Sequence, residues 1–209
     1  MNPQRLTIIT VAVAVLAVAA ILVIPRIGGT TQATTTADLD LSDQPVIGSA
    51  DAPVTVAIFE DWLCPACANF EANVAPTIKR EYVDTGLVRM AFVNFQVIQG
   101  SEQVARMSEC VYRQSNDAFW EMKGPLYRAQ GELRDTRGAR DLALTYAPGI
   151  DAGELDACMA DPSSLEVVRT DTQLAQRLSL TGTPSVLVDG VSVSPTLDSV
   201  RRAIDAALP

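Results

Sequence analysis

The chain is 209 residues long, with 48% hydrophobic residues, 16 lysines and arginines against 25 aspartates and glutamates, and a formal net charge of −9. That length suits one ordinary domain plus a tail, and the acidic balance excludes nucleic acid as a partner. The absence of histidine excludes Ser-His-Asp and Cys-His catalysis and the commonest metal sites, so any chemistry must run on cysteine, carboxylate or backbone.

Met1 to Arg5 carries one positive charge, and Leu6 to Ile24 is then 19 residues without a charge, closed by Pro25 and Arg26. This is close to the roughly 20 residues of a membrane-spanning helix and exceeds the roughly 7 to 15 of a signal-peptide core. Residues 1–26 are therefore expected to form an uncleaved signal anchor, one transmembrane helix. The competing outcome is a signal peptide cut near Ala17-Val18-Ala19. Both outcomes export the rest of the chain, giving a single-pass cell-membrane protein or a released one with its domain on the extracytoplasmic side. Residues 27–45 hold Gly, Thr, Ala and Asp without apolar periodicity and read as a flexible linker. The folded domain is expected over residues 46–209, in an oxidising compartment where cysteines pair readily.

Val54, Val56 and Ile58 alternate with Thr55, Ala57 and Phe59, an apolar strand suited to the middle of a sheet. Cys64-Pro65-Ala66-Cys67 follows at the mouth of a helix that carries Phe70, Val74 and Ile78, with Pro76 expected to kink it. Two cysteines in this spacing can close a disulfide across one helical turn, and the free N–H groups of a helix N-terminus stabilise a negative sulfur. Cys64, the outer one, is the expected nucleophile, and Cys67, one turn inside, the resolving thiol of a redox-active disulfide. Zinc would need two further ligands, and the chain has no histidine and no second close cysteine pair. No cofactor is required and no metal site is expected.

Leu87 to Phe95 is a second strand, so strand, helix and strand form a βαβ unit. From about 99 to 180 the pattern is helical, with Val104, Met107 and Val111 on one face, then Phe119, Trp120 and Tyr127, and an N-cap pair at Asp151 and Glu154. Gly182-Thr183-Pro184 leads into a hairpin turning at Asp189-Gly190, and Leu197 to Leu208 closes the chain as a helix. The reading is α/β with a helical block inserted into the frame.

Cys64-Pro65-Ala66-Cys67, the βαβ unit, the helical insertion with Phe119-Trp120-Glu121, and Gly182-Thr183-Pro184-Ser185 together resemble the DsbA-like branch of the thioredoxin superfamily, especially its membrane-anchored bacterial members. The resemblance runs from about Gly48 to Leu208 and implies a thioredoxin fold with an inserted helical domain, preceded by the transmembrane helix. It implies a protein-disulfide oxidoreductase that oxidises cysteines of secreted or unfolded client proteins and is re-oxidised by a membrane quinone-linked oxidase of the DsbB or VKOR-like kind. A reductase or disulfide isomerase on the same fold, and a non-enzymatic client-binding protein with a merely structural Cys64–Cys67 disulfide, are the alternatives.

The resemblance further implies a cis Thr183-Pro184 peptide facing the cysteines, with Thr183 free to pair with an incoming strand, where an ordinary loop proline is the bland alternative. It also implies a structural disulfide between Cys110 and Cys158, a second redox relay being the other use of that pair. Many relatives carry an acid six residues before the first cysteine, where this chain has Ile58. Glu60, two residues on and on the same strand face, is the candidate substitute as proton acceptor, against an exposed acid at a strand end. Ala66 stands where the strongest oxidants of the family carry histidine, which implies a milder oxidant. Trp62, Pro65 and Ala66 beside Thr183 are candidate client-docking residues, with core burial competing for Trp62.

Overall fold

A computed structural model of the chain describes residues 39–134 and 136–209, so the expected anchor and most of the expected linker lie outside the described residues. Among the described residues no helix is long and apolar enough to cross a membrane. The frame is a five-stranded sheet of β1 (Val46–Ile47), β2 (Val54–Glu60), β3 (Val88–Asn94), β4 (Ser185–Val188) and β5 (Val191–Val193). Its order is β1-β3-β2-β4-β5. The most apolar strand takes the centre: β2 is buried along nearly its whole length and pairs in parallel with β3, from Val54 opposite Val88 to Glu60 opposite Asn94. On its other side β2 pairs antiparallel with β4, and the β4–β5 hairpin turns through Asp189 and Gly190, both at positive φ (46° and 80°), as a two-residue turn of this twist requires.

The crossover from β2 to β3 begins with α1 (Pro65–Asn73), which starts on Pro65 because a proline at the first helical position loses no hydrogen bond. Pro76 cannot donate to the carbonyl four residues back, and the helix breaks at Val74 (φ −115°) before resuming as α2 (Ala75–Ile78). A π-helical turn, Lys79–Val83, then leads to β3. The insertion contains α3 (Glu102–Gln114), α4 (Asn116–Arg128), α5 (Thr136–Tyr146), α6 (Ala152–Ala160) and α7 (Pro162–Arg177). The starts of α4, α6 and α7 are capped by side chains: Ser115 accepts from the Ala118 amide, Asp151 from Glu154 and Asp161 from Ser163. Cys110 of α3 and Cys158 of α6 are joined as a disulfide with a Cα–Cα distance of 5.7 Å. The final helix, α8 (Leu197–Ala207), returns Val200 and Ile204 to the sheet.

Strand alternation divides the core. Val54, Val56 and Ile58 face Phe70, Ile78, Val200 and Ile204, whereas Ala57 and Phe59 face Ala175 of α7. A third cluster, Trp62, Phe92, Met107, Phe119, Met122 and Leu126, fills the insertion and reaches up to the cysteine pair. One boundary differs from the sequence expectation. Leu39 and Leu41 pack against the Phe59 cluster, Gln44 is buried with its amide donating to Asp171 at 2.7 Å, and the Pro45 carbonyl accepts from Phe92. Residues 39–45 therefore belong to the domain and not to the linker; partners on other elements, as far away in the chain as Asp171, hold them, and local periodicity carries no trace of such contacts.

Candidate active site

The end of β2, the start of α1 and the loop before β4 meet at the cysteines. Cys64 is the N-cap of α1, in extended conformation (φ −79°, ψ 119°), and no side chain caps the helix in its place. Its carbonyl takes the first helical hydrogen bond from the Ala68 amide, at 3.1 Å, and its sulfur points at the carbonyl oxygen of Thr183, 3.4 Å away. Thr183-Pro184 is a cis peptide, as the resemblance implied. Cys67, one turn along α1, is fully buried, and both thiols are free. The arrangement leaves the outer sulfur at the rim, at 7% exposure, beside a backbone carbonyl and a helix N-terminus, and puts the inner one in the core.

Two residues fix the loop that presents Cys64. Buried Asp61 accepts from the Leu63 amide with one carboxylate oxygen, at 2.8 Å. Its other oxygen accepts from the amides of Val97 and Ile98, both at 2.8 Å, and from the Ser101 hydroxyl at 2.9 Å. The Gln130 amide, from the turn after α4, donates to the carbonyls of Trp62 at 2.8 Å and Cys64 at 2.9 Å.

Trp62 itself is not a docking residue. It is fully buried, stacked on Tyr127 at 5.0 Å between ring centroids and packed on Phe92 and Phe119, and its indole N–H donates to Ser108 at 3.0 Å. A tryptophan in the insertion core with its N–H satisfied has nothing left to offer a client. Pro65 and Ala66 are exposed beside the half-buried Thr183-Pro184 and remain the available surface.

Glu60 is also fully buried, so the exposed-acid alternative does not hold. The ammonium of Lys123, equally buried on α4, lies 2.8 Å from one Glu60 oxygen and also pairs with Glu71 of α1 at the solvent edge. Lys123 and the Tyr127 hydroxyl are the hydrogen-bonding groups that act on the Glu60 carboxyl. Burial pushes the Glu60 carboxyl up to about 7, with Lys123 pulling it down and Glu71 adding to the rise. For Lys123 burial favours the neutral amine, but Glu60 and Glu71 outweigh it and hold the ammonium above its ordinary value. The faces of Tyr127, Phe92 and Trp120 surround it at 5.2, 5.7 and 5.9 Å. The Cys67 thiol is raised well above an ordinary thiol, first by burial and then by the charge on Glu60. Charge on the buried carboxyl thus disfavours charge on the buried thiol, which makes Glu60 the candidate proton partner of Cys67.

Comparison with known proteins agrees with this geometry. A family described as Thioredoxin matches residues 40–206. The "Probable disulfide bond formation protein D" of Bacillus anthracis is 36% identical over 172 residues, covering 80% of this chain and 79% of that protein. The chain belongs to the DsbA-like branch of the thioredoxin superfamily. Disulfide bond formation protein D of Bacillus subtilis is 28% identical over 80% of this chain and 78% of its own length. The crystal structure of oxidised BdbD from Bacillus subtilis superposes with a TM-score of 0.71 at 28% identity, over 80% of this chain and 94% of that one.

Within this DsbA-like domain, sequence reasoning located Cys64, Cys67, Thr183, Pro184 and Glu60 but missed Lys123, Asp61's four hydrogen bonds and Gln130. Lys123 did leave a signal. It falls four residues after Phe119 and four before Tyr127 on the apolar face of α4, where a lysine needs a buried acid to remain.

Proposed function

We propose that this chain is an extracytoplasmic protein-disulfide oxidoreductase that hands the Cys64–Cys67 disulfide to cysteine-containing clients. The observation that carries the reading is the Cys64 sulfur at the N-terminus of α1, 3.4 Å from the Thr183 carbonyl, with Cys67 enclosed one turn behind it. A client thiolate attacks the Cys64 sulfur, the Cys64–Cys67 bond breaks, and Cys67 leaves as a thiolate that takes a proton from Glu60. A second client thiolate then attacks the client sulfur of the mixed disulfide and releases Cys64. Two electrons pass from client to enzyme, and the client gains one disulfide. In the reverse direction Cys67, its proton drawn by Glu60, attacks the Cys64 sulfur and resolves the mixed disulfide.

The Thr183 backbone and the exposed Pro65 and Ala66 form the surface for an extended client segment. The uncharged run Leu6 to Ile24 supports a membrane anchor with the domain on the outer side, where a membrane quinone-linked oxidase of the DsbB or VKOR-like kind restores the disulfide. The test is the reduction potential of the pair, measured by equilibrating the full chain with glutathione buffers and trapping thiols. A value well above about −200 mV marks a donor of disulfides. A value near about −270 mV overturns the proposal in favour of a thioredoxin-like reductase.

A further inference from the structure

Among the polar contacts between the insertion and the catalytic loop, those of Gln130 reach the backbone at Cys64 itself and are not used by the exchange steps. The two hydrogens of the Gln130 amide go to the carbonyl oxygens of Trp62 and Cys64, the residues at the entry to the redox pair. The Cys64 carbonyl already accepts the helical hydrogen bond from Ala68, so Gln130 is not needed merely to satisfy it. The position of Gln130 is fixed from both sides. Ala129 donates back to the carbonyls of Pro125 and Leu126 at the end of α4, and Leu133, three residues on, is buried in the insertion core. Gln130 itself is half-buried, so its side chain can be exchanged without opening a cavity.

We infer that Gln130 is a positioning residue for the exchange reaction: by holding the negative ends of the Trp62 and Cys64 carbonyl dipoles it sets the balance between the reduced and the oxidised pair. The inference rests on Cys64 being the exchanging sulfur. Reducing the pair replaces a neutral disulfide with a state in which Cys64 can carry negative charge. The Cys64 carbonyl belongs to the same residue as that sulfur, so its negative end disfavours negative charge there, and a donor that engages the oxygen lessens the effect. Gln130 thereby couples the insertion to the oxidising strength of the loop.

The test is a charge series in the full chain, Gln130→Lys, Gln130→Ala and Gln130→Glu, read as the equilibrium constant with glutathione. In that reaction two glutathione thiols reduce the Cys64–Cys67 disulfide and leave as one glutathione disulfide. A lysine can donate to both carbonyls and adds positive charge, alanine removes the donors, and glutamate replaces them with a negative acceptor. The expected order of preference for the reduced pair is Lys, wild type, Ala, Glu, with about a tenfold span between the ends, equivalent to about 30 mV for a two-electron couple. A side chain that only braces the fold lowers unfolding stability in these variants and leaves the equilibrium constant unmoved. Constants within twofold of wild type for all three, or Lys and Glu moving in the same direction, overturn the inference. Failure of the underlying reading looks different: the wild-type pair itself does not exchange with glutathione, and a Cys64→Ser chain is indistinguishable from it.

Discussion

The chain contains two cysteine pairs with opposite fates. Cys64 and Cys67 stand three residues apart at a helix N-terminus, as free thiols, with the Thr183 carbonyl 3.4 Å from the outer sulfur and the buried Glu60 acting on the inner one. Cys110 and Cys158 stand 48 residues apart on α3 and α6 and are closed as a disulfide, with no buried Glu–Lys pair beside them. The first pair closes almost no loop and so adds little by constraining the unfolded chain. The second closes a long loop and so restricts the unfolded chain strongly. Two buried carboxyls of the domain differ in their neighbours as well. Glu60 has Lys123 and a thiol for neighbours, whereas Asp171 is held by the neutral amides of Gln44 at 2.7 Å and Asn94 at 3.4 Å.

The sharpest way to break this contrast is to disrupt each pair in turn. Cys64→Ser is expected to abolish oxidation of a dithiol peptide, a loss of more than about 10³-fold, because no other sulfur at the rim can take the client. The double change Cys110→Ser with Cys158→Ser is expected to keep the exchange rate within a few-fold while lowering unfolding stability by on the order of 4 kcal/mol in a urea titration. Exchange lost in the double variant, with the fold intact, would make the second pair a relay.

Glu60→Gln comes next. The carboxyl, lifted by burial to about 7, supplies a proton to departing Cys67 while it is protonated, so client oxidation, corrected for client thiolate, should fall as pH rises through about 7. The glutamine variant should be slower by about 10²-fold at pH 6 and should lose that inflection. A pH–rate profile that superposes on wild type after scaling removes Glu60 from the proton path.

The smallest expected effect lies at the neutral-amide carboxyl. Burial raises Asp171 from 3.8 to about 7, against the pull of Gln44 and Asn94, so in this window the folded chain holds a proton that the unfolded chain has released. Asp171 therefore contributes stability that is fully present below about 4 and is lost as pH rises toward about 7. Asp171→Asn should flatten the slope of unfolding free energy over that window without changing the redox equilibrium. An unchanged slope would falsify the assignment of the titration to this aspartate.

The lower-energy features of the fold were open to reading from local pattern. Branched residues in the Val54 to Phe59 run placed the central strand, Asp189-Gly190 the hairpin, Asp151 the cap of α6, and Cys64-Pro65-Ala66-Cys67 the redox turn, because each depends on residues within one element. Family resemblance, not pattern, supplied the cis Thr183-Pro184 peptide and the Cys110–Cys158 pairing. Local pattern could not show which side chains would meet across the chain. Trp62 was open to either surface or core until the ring cluster of Phe92, Phe119 and Tyr127 claimed it, and Glu60 could be an exposed acid until Lys123, 63 residues on, was seen buried against it. Gln130 and Gln44 are ordinary loop glutamines in sequence and become structural only because carbonyls and a carboxyl from distant segments lie within reach of their amides. The sequence by itself thus determined the elements and the redox turn. Only the tertiary structure decided the electrostatics of the site, since a charge or dipole acts according to its distance and burial, and both are set by packing between segments far apart in the chain.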